Sequence, residues 1–109
     1  MSQISVIVAE IKNWLDTTQK RDEYQKCKFE YLVSMQNVFR AIIVFPNCIG
    51  ELMVNEADSA PYRFVKFEAV AYVSNLPHMI TSWYDQDGDT NEYIMAELDK
   101  AFKAAFAFE

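Results

Sequence analysis

Glycine is scarce in this chain: only Gly50 and Gly88 occur among 109 residues, where average usage gives about eight. A loop that cradles phosphate needs several glycines, so that backbone N–H groups can approach the anion. Neither GxGxxG nor GxxxxGK[ST] is present, and nucleotide binding by those routes is excluded. Cysteine is equally sparse, with Cys27 and Cys48 alone. A secreted domain that leans on disulfides carries more. Both are expected to be small, reduced hydrophobes. The longest purely apolar run, 41–46, is far too short to span a membrane. The N-terminal Met1-Ser2-Gln3-Ile4 lacks the basic start and apolar run of a signal peptide. Cytoplasmic residence, with no membrane contact, is the expectation.

Histidine occurs once, as His78. A single imidazole cannot build a His-rich metal site, and no cysteine spacing assists it. General acid–base work by His78 needs a partner carboxylate that the sequence does not supply nearby. A nucleophilic Cys27 or Cys48 needs an activating base, and none is adjacent. Sixteen acidic residues always offer some carboxylate pair, so such a pair is uninformative here. No catalytic residue, metal site or cofactor is assigned, and the chain is read as a non-enzyme.

Basic residues are depleted in one half of the chain. Residues 1–50 carry six basic and five acidic side chains, whereas 51–109 carry four and eleven. The net charge of −6 therefore resides in the C-terminal half. That balance disfavours direct nucleic-acid binding, which needs a basic footprint. It suits solubility, or a partner with a basic surface.

What is abundant is apolar and aromatic material: 51% hydrophobic residues, with eight Phe, six Tyr and two Trp. A chain of this length with that content folds as one domain, 1–109, around a real core. Ile4, Ile7, Val8, Ile11, Trp14 and Leu15 fall on one face of a helix. Ser2 is placed to cap it. Residues 27–35 alternate as a strand does, with Cys, Phe, Tyr, Val and Met at odd positions. A 3.6-residue stripe from Tyr24 to Ile43 competes with that reading, and the β-rich 41–45 favours strands. Segments 39–45, 49–55 and 62–73 read as further strands, the last as central in the sheet. Ser74-Asn75-Leu76-Pro77 breaks the pattern, and 78–84 reads as a short strand or a loop. Asp89 with Glu92 resembles a capping box, opening a helix whose stripe is Ile94, Met95, Leu98, Ala101, Phe102, Ala105 and Phe106. The expected fold is α+β: an N-terminal helix, an antiparallel meander of three to four strands, and a C-terminal helix packed on the sheet. Trp14, Phe67 and Phe102 are expected in the core.

The densest acidic cluster is Asp85, Asp87 and Asp89, followed by Glu92. Alternating aspartates open a calcium loop, but that loop wants Gly at its sixth position and Glu at its twelfth. Gly88 is fourth and Ala96 twelfth, so no metal is assigned. Trp83 and Tyr84 precede the cluster and Tyr93 follows it. Aromatic anchors ringed by charge suit a binding hot spot. The candidate partner-binding residues are therefore Trp83, Tyr84, Asp85, Asp87, Asp89 and Glu92. No motif names a family, although size, acidity and aromatic content are similar to those of small toxin-immunity proteins and phage-encoded inhibitors. The expected function is stoichiometric binding that occludes a basic protein surface. The alternatives are a small-ligand or enzyme module of α+β fold and a chaperone-like accessory subunit.

Overall fold

The computed structural model describes residues 2–56 and 61–109. Helix α1, Gln3–Thr18, starts where Ser2 accepts the Ser5 amide on its hydroxyl at 3.3 Å. That bond satisfies one of the amides that a helix start leaves without an intrahelical partner. Ile4, Ile7, Val8, Ile11 and Leu15 are buried along one stripe, while Trp14 at its margin is half-buried. A short 3₁₀ turn, Asp22–Tyr24, follows.

Five strands come next: β1 (Lys28–Ser34), β2 (Phe39–Val44), β3 (Ile49–Val54), β4 (Val65–Val73) and β5 (Leu76–Tyr84). They form one antiparallel sheet in the order β1-β2-β3-β4-β5. Helix α2, Asn91–Ala107, packs back on this sheet. The architecture is the expected α+β meander between two helices, with 76–84 as a full fifth strand.

The competing helical stripe of 24–43 is broken into β1 and β2 by a turn. The Met35 amide donates to the Val38 carbonyl at 2.9 Å, and β-branched Ile42, Ile43 and Val44 settle into the pleat. The expected break at 74–77 shrinks to two residues. Ser74 and Asn75 take positive φ of 54° and 66°, the geometry of a tight hairpin turn built here without glycine. Leu76 and Pro77 already belong to β5. Pro77 is tolerated because β5 is an edge strand, where a missing N–H breaks no ladder. Since β5 lies outside it, β4 is next to the edge, and β3 is central.

One face of the sheet is covered. Phe39, Ala41, Ile43, Leu52, Val54, Val65, Phe67 and Ala69 point into a core closed by both helices. Phe102 of α2 is its hub, with ring centroids 4.8 Å from Phe67, 4.9 Å from Trp14 and 5.6 Å from Phe45. Gly50 makes this packing possible. A Cβ there would lie 2.8 Å from the Phe67 ring and 2.9 Å from that of Phe45.

Candidate protein-binding face

The acidic segment disperses once the chain folds. Trp83 and Tyr84 are consecutive in β5, so they face opposite sides of the sheet. Trp83 pairs with Phe67 and packs, half-buried, against the core. Tyr84 pairs with Lys66 on the uncovered face and donates its hydroxyl to Glu68 Oε2 at 2.6 Å. That hydrogen bond, with a smaller share from burial, raises the tyrosine above its ordinary pKa of 10.0.

Asp85 is only 1% exposed. Its Oδ1 accepts the amides of Arg63, Phe64 and Val65 at 2.9, 2.8 and 2.9 Å, so the carboxylate fastens the start of β4 to the end of β5. Asp89 accepts the Gln86 amide at 2.8 Å and closes the turn through Gly88, whose φ is 91°. Asp87 projects into solvent, 94% exposed, with Arg63 at 3.4 Å. Glu92 is exposed in the first turn of α2. The three aspartates therefore do not converge, and among the described residues no group of three or more metal-ligating side chains forms. The cap of α2 is Thr90, whose hydroxyl accepts the Tyr93 amide at 3.1 Å, in place of the expected Asp89.

The uncovered face of the sheet carries a pattern that residue-by-residue reading missed. Three successive cross-strand rows run over β2, β3, β4 and β5. The first is Arg40, Met53, Lys66 and Tyr84; the second is Ile42, Glu51, Glu68 and Ser82. These two rows are laced by ion pairs. Arg40 Nε donates to Glu51 Oε2 at 2.8 Å, and Lys66 lies 3.1 Å from Glu51 Oε1 and 3.6 Å from Glu68 Oε1. The third row, Val44, Ile49, Val70 and Met79, is entirely apolar. Val44, Ile49 and Met79 are 39%, 46% and 54% exposed.

The apolar row continues beyond the sheet. The last β3–β4 pair is Ile49 with Val70, so 71–73 pair only with β5 and the hairpin projects. Tyr72 and Pro77 lie on the same face as the row, and Tyr72 is 69% exposed. Val73 and Leu76 are exposed on the other side of the tip. A bulge at Ile80 makes this arrangement: Ala69 pairs with Thr81 but Val70 with Met79, and the extra residue turns Met79 onto the uncovered face. The signal in the sequence was a set of apolar runs, Ile43-Val44-Phe45 at the end of β2, Val70-Ala71-Tyr72-Val73 at the end of β4, and Met79-Ile80 within β5.

The acidic segment and this strip sit at opposite ends of β5. From Met79 in the strip to Asp85 is six residues of extended chain, roughly 20 Å, about two screening lengths at 0.1 M salt. A cleft of about 270 Å³ lies between the starts of α1 and α2, lined by Ser2, Arg63, Phe64, Asp85 and Asp89 among others. It is smaller than most ligand pockets, and its charges are mixed.

No family model matches this chain, and neither a curated protein nor a solved structure matches it. No helix among the described residues is long and apolar enough to cross a membrane.

Proposed function

We propose that this protein is a binding domain that docks the uncovered face of its sheet, with the tip of the β4–β5 hairpin, on a basic surface of a partner protein. The reading follows the inhibitor or immunity type, in which a small acidic domain occludes its partner stoichiometrically. The observation that carries it is the apolar row Val44, Ile49, Val70 and Met79, prolonged on the same face by Tyr72 and Pro77 on a projecting hairpin whose tip also exposes Leu76. Soluble monomers rarely leave a contiguous apolar strip of this kind open unless something covers it. The excess negative charge of the chain favours a cationic partner and speeds encounter. Of the residues first singled out, Asp87 and Glu92 remain exposed for that steering. Asp85 is committed to the backbone and Trp83 to the core margin.

The test is affinity capture from the native host with wild type and with the double variant Leu76→Asp/Met79→Asp, followed by hydrogen exchange on the purified complex. The reading requires that the double variant lose the captured protein, and that exchange slow at 44–49 and 70–79 in the complex. Protection confined to 85–93 would move the contact to the acidic turn. A stable homodimer that covers the strip in sedimentation would remove the need for a partner there.

A further inference from the structure

Between β3 and β4 the uncovered face forms a hollow of about 240 Å³, lined by Ile49, Gly50, Glu51, Glu68, Val70 and Tyr72. Its walls at one end are the apolar side chains of Ile49, Val70 and Tyr72. At the other end stand two carboxylates, directly opposite each other across the strands. Like charges so placed destabilise a sheet unless compensated, and the compensation here is uneven. Glu51 has both oxygens occupied, Oε2 by Arg40 and Oε1 by Lys66. Glu68 has Oε2 occupied by the Tyr84 hydroxyl, but among the described residues its Oε1 meets only Lys66, at 3.6 Å. That distance is too long for a hydrogen bond, so Glu68 Oε1 retains acceptor capacity beside the hollow.

We infer that this hollow receives an arginine side chain of the partner. The inference rests on the reading that this face is the contact. The apolar and acidic rows are one same-face step apart, roughly 7 Å along a strand, a distance suited to the aliphatic stem of an arginine lying on Ile49 and Val70. The guanidinium then reaches Glu68 Oε1, while the exposed Tyr72 ring covers the stem at the apolar end. Arginine fits better than lysine. Its guanidinium gives one N–H to the single free oxygen, and it sheds water more readily than an ammonium group. The Tyr84 hydroxyl and the nearby Lys66 already hold Glu68 in place, so the acceptor is fixed before the partner arrives. The overall charge of the chain agrees with a cationic occupant.

The probe is N-acetyl-arginine methylamide, titrated into the ¹⁵N-labelled protein. The control is the citrulline analogue, which has nearly the same shape and no charge. The expected result is saturable shifts at Ile49, Glu51, Glu68, Val70 and Tyr72 with the arginine probe only. Glu68→Gln should weaken it about tenfold, as loss of a charge-assisted hydrogen bond implies. Tyr72→Ala, at a side chain too exposed to hold the fold, should weaken it severalfold, so the test does not hang on the Glu68 variant staying folded. Equal shifts with citrulline, unchanged affinity in both variants, or shifts confined to 85–92 would overturn the inference. The Leu76→Asp/Met79→Asp pair lies outside the hollow. If that pair abolishes partner capture while the arginine probe fails, the docking reading stands and the arginine assignment falls.

Discussion

Asp85 holds Val65: a single carboxylate oxygen accepts the Val65 amide at 2.9 Å while the Asp85 amide donates to the Val65 carbonyl at 3.1 Å. The same oxygen also takes the amides of Arg63 and Phe64. Three successive donors are satisfied by one buried acceptor, and a charged acceptor makes each bond stronger than a neutral pair. Asp85→Ala strips all three at once. Thermal and urea unfolding should show a loss of about 3 kcal/mol, because the Phe64 and Val65 amides are left without partners while Arg63 keeps the Asp85 carbonyl at 3.2 Å. Asp85→Asn, which keeps a carbonyl oxygen in place, should lose less. A loss under about 1 kcal/mol in the alanine variant would mean that water replaces the carboxylate freely.

Tyr24 predicts the opposite sign. Its side chain is 1% exposed, packed edge-on against Phe102 and Phe106. Its hydroxyl is the one buried side-chain polar atom without a hydrogen-bond partner among the described residues. Burial, helped by the charge of Asp99, pushes its pKa up to about 12 from an ordinary 10.0. Tyr24→Phe removes an unsatisfied polar atom and keeps the ring, so stability should hold or rise by up to about 1 kcal/mol. The pH dependence follows from the raised value. The neutral phenol contributes fully below pH 10.0, and that contribution fades as pH climbs through about 12. The phenylalanine variant should therefore resist alkaline unfolding better than wild type across that window.

The acidic limb of stability is set partly on the uncovered face. Burial alone would raise the Glu51 pKa, but the hydrogen bonds and charges of Lys66 and Arg40 outweigh it and hold it below 4.5. A depressed carboxylate contributes stability above its ordinary value and loses it as pH falls through the folded one. Glu51→Gln should cost stability at pH 7, and the difference from wild type should shrink as pH drops below 4.5. The pairs are partly exposed, so the cost should be modest and should diminish in salt. A gap between the two proteins that stays constant down to pH 2 would show that the network is not what Glu51 supplies.

These variants also mark what the sequence could and could not disclose. The stripe Ile4, Ile7, Val8, Ile11 and Leu15 and that of Ile94, Leu98 and Phe102 were legible because helical period alone decides which side chains go inside. Strand alternation likewise placed Phe67 inward. The role of Asp85 was not legible, since an aspartate beside Gly and Asp looks like a solvated turn until β4 is brought alongside β5. Nor was the separation of Trp83 from Tyr84 used, although alternation across a strand requires it once 78–84 is read as β5. The apolar row depends on register among four strands and on the bulge at Ile80. Periodicity along one segment carries no information about either.

Core packing around the helix-sheet contact should be intolerant in both directions. Phe102→Ala empties the hub between Phe67, Trp14, Phe45 and Tyr24, and should cost about 3–5 kcal/mol. Gly50→Ala overfills the same region from the sheet side, since two rings stand closer than 3.0 Å to the added carbon. Its cost should be about 1–3 kcal/mol. The two sites share Phe67 and Phe45, so the double variant should be less destabilised than the two losses added together, because the emptied hub lets those rings retreat. Strict additivity would show that the rings cannot move.

The thiols give the last prediction. Cys48 is buried, and its thiol donates to the Ala105 carbonyl of α2 at 3.3 Å. Cys27, half-buried just before β1, is also free. Burial pushes Cys27 up to about 11 from 9.0, with a further push from Cys48, and burial raises Cys48 as well. Thiolate is the reactive form, so neither should react quickly in the folded protein at pH 8. Cys27 should react first, being the less enclosed, and Cys48 only as α2 lifts from the β2–β3 turn. Its rate should therefore follow the stability of that contact, and Phe102→Ala should accelerate Cys48 more than Cys27. In denaturant without reductant, both thiols should titrate at once. Rapid labelling of Cys48 in the intact fold would mean that α2 opens without global unfolding, and absence of both thiols in denaturant would mean that they are bridged in the purified protein.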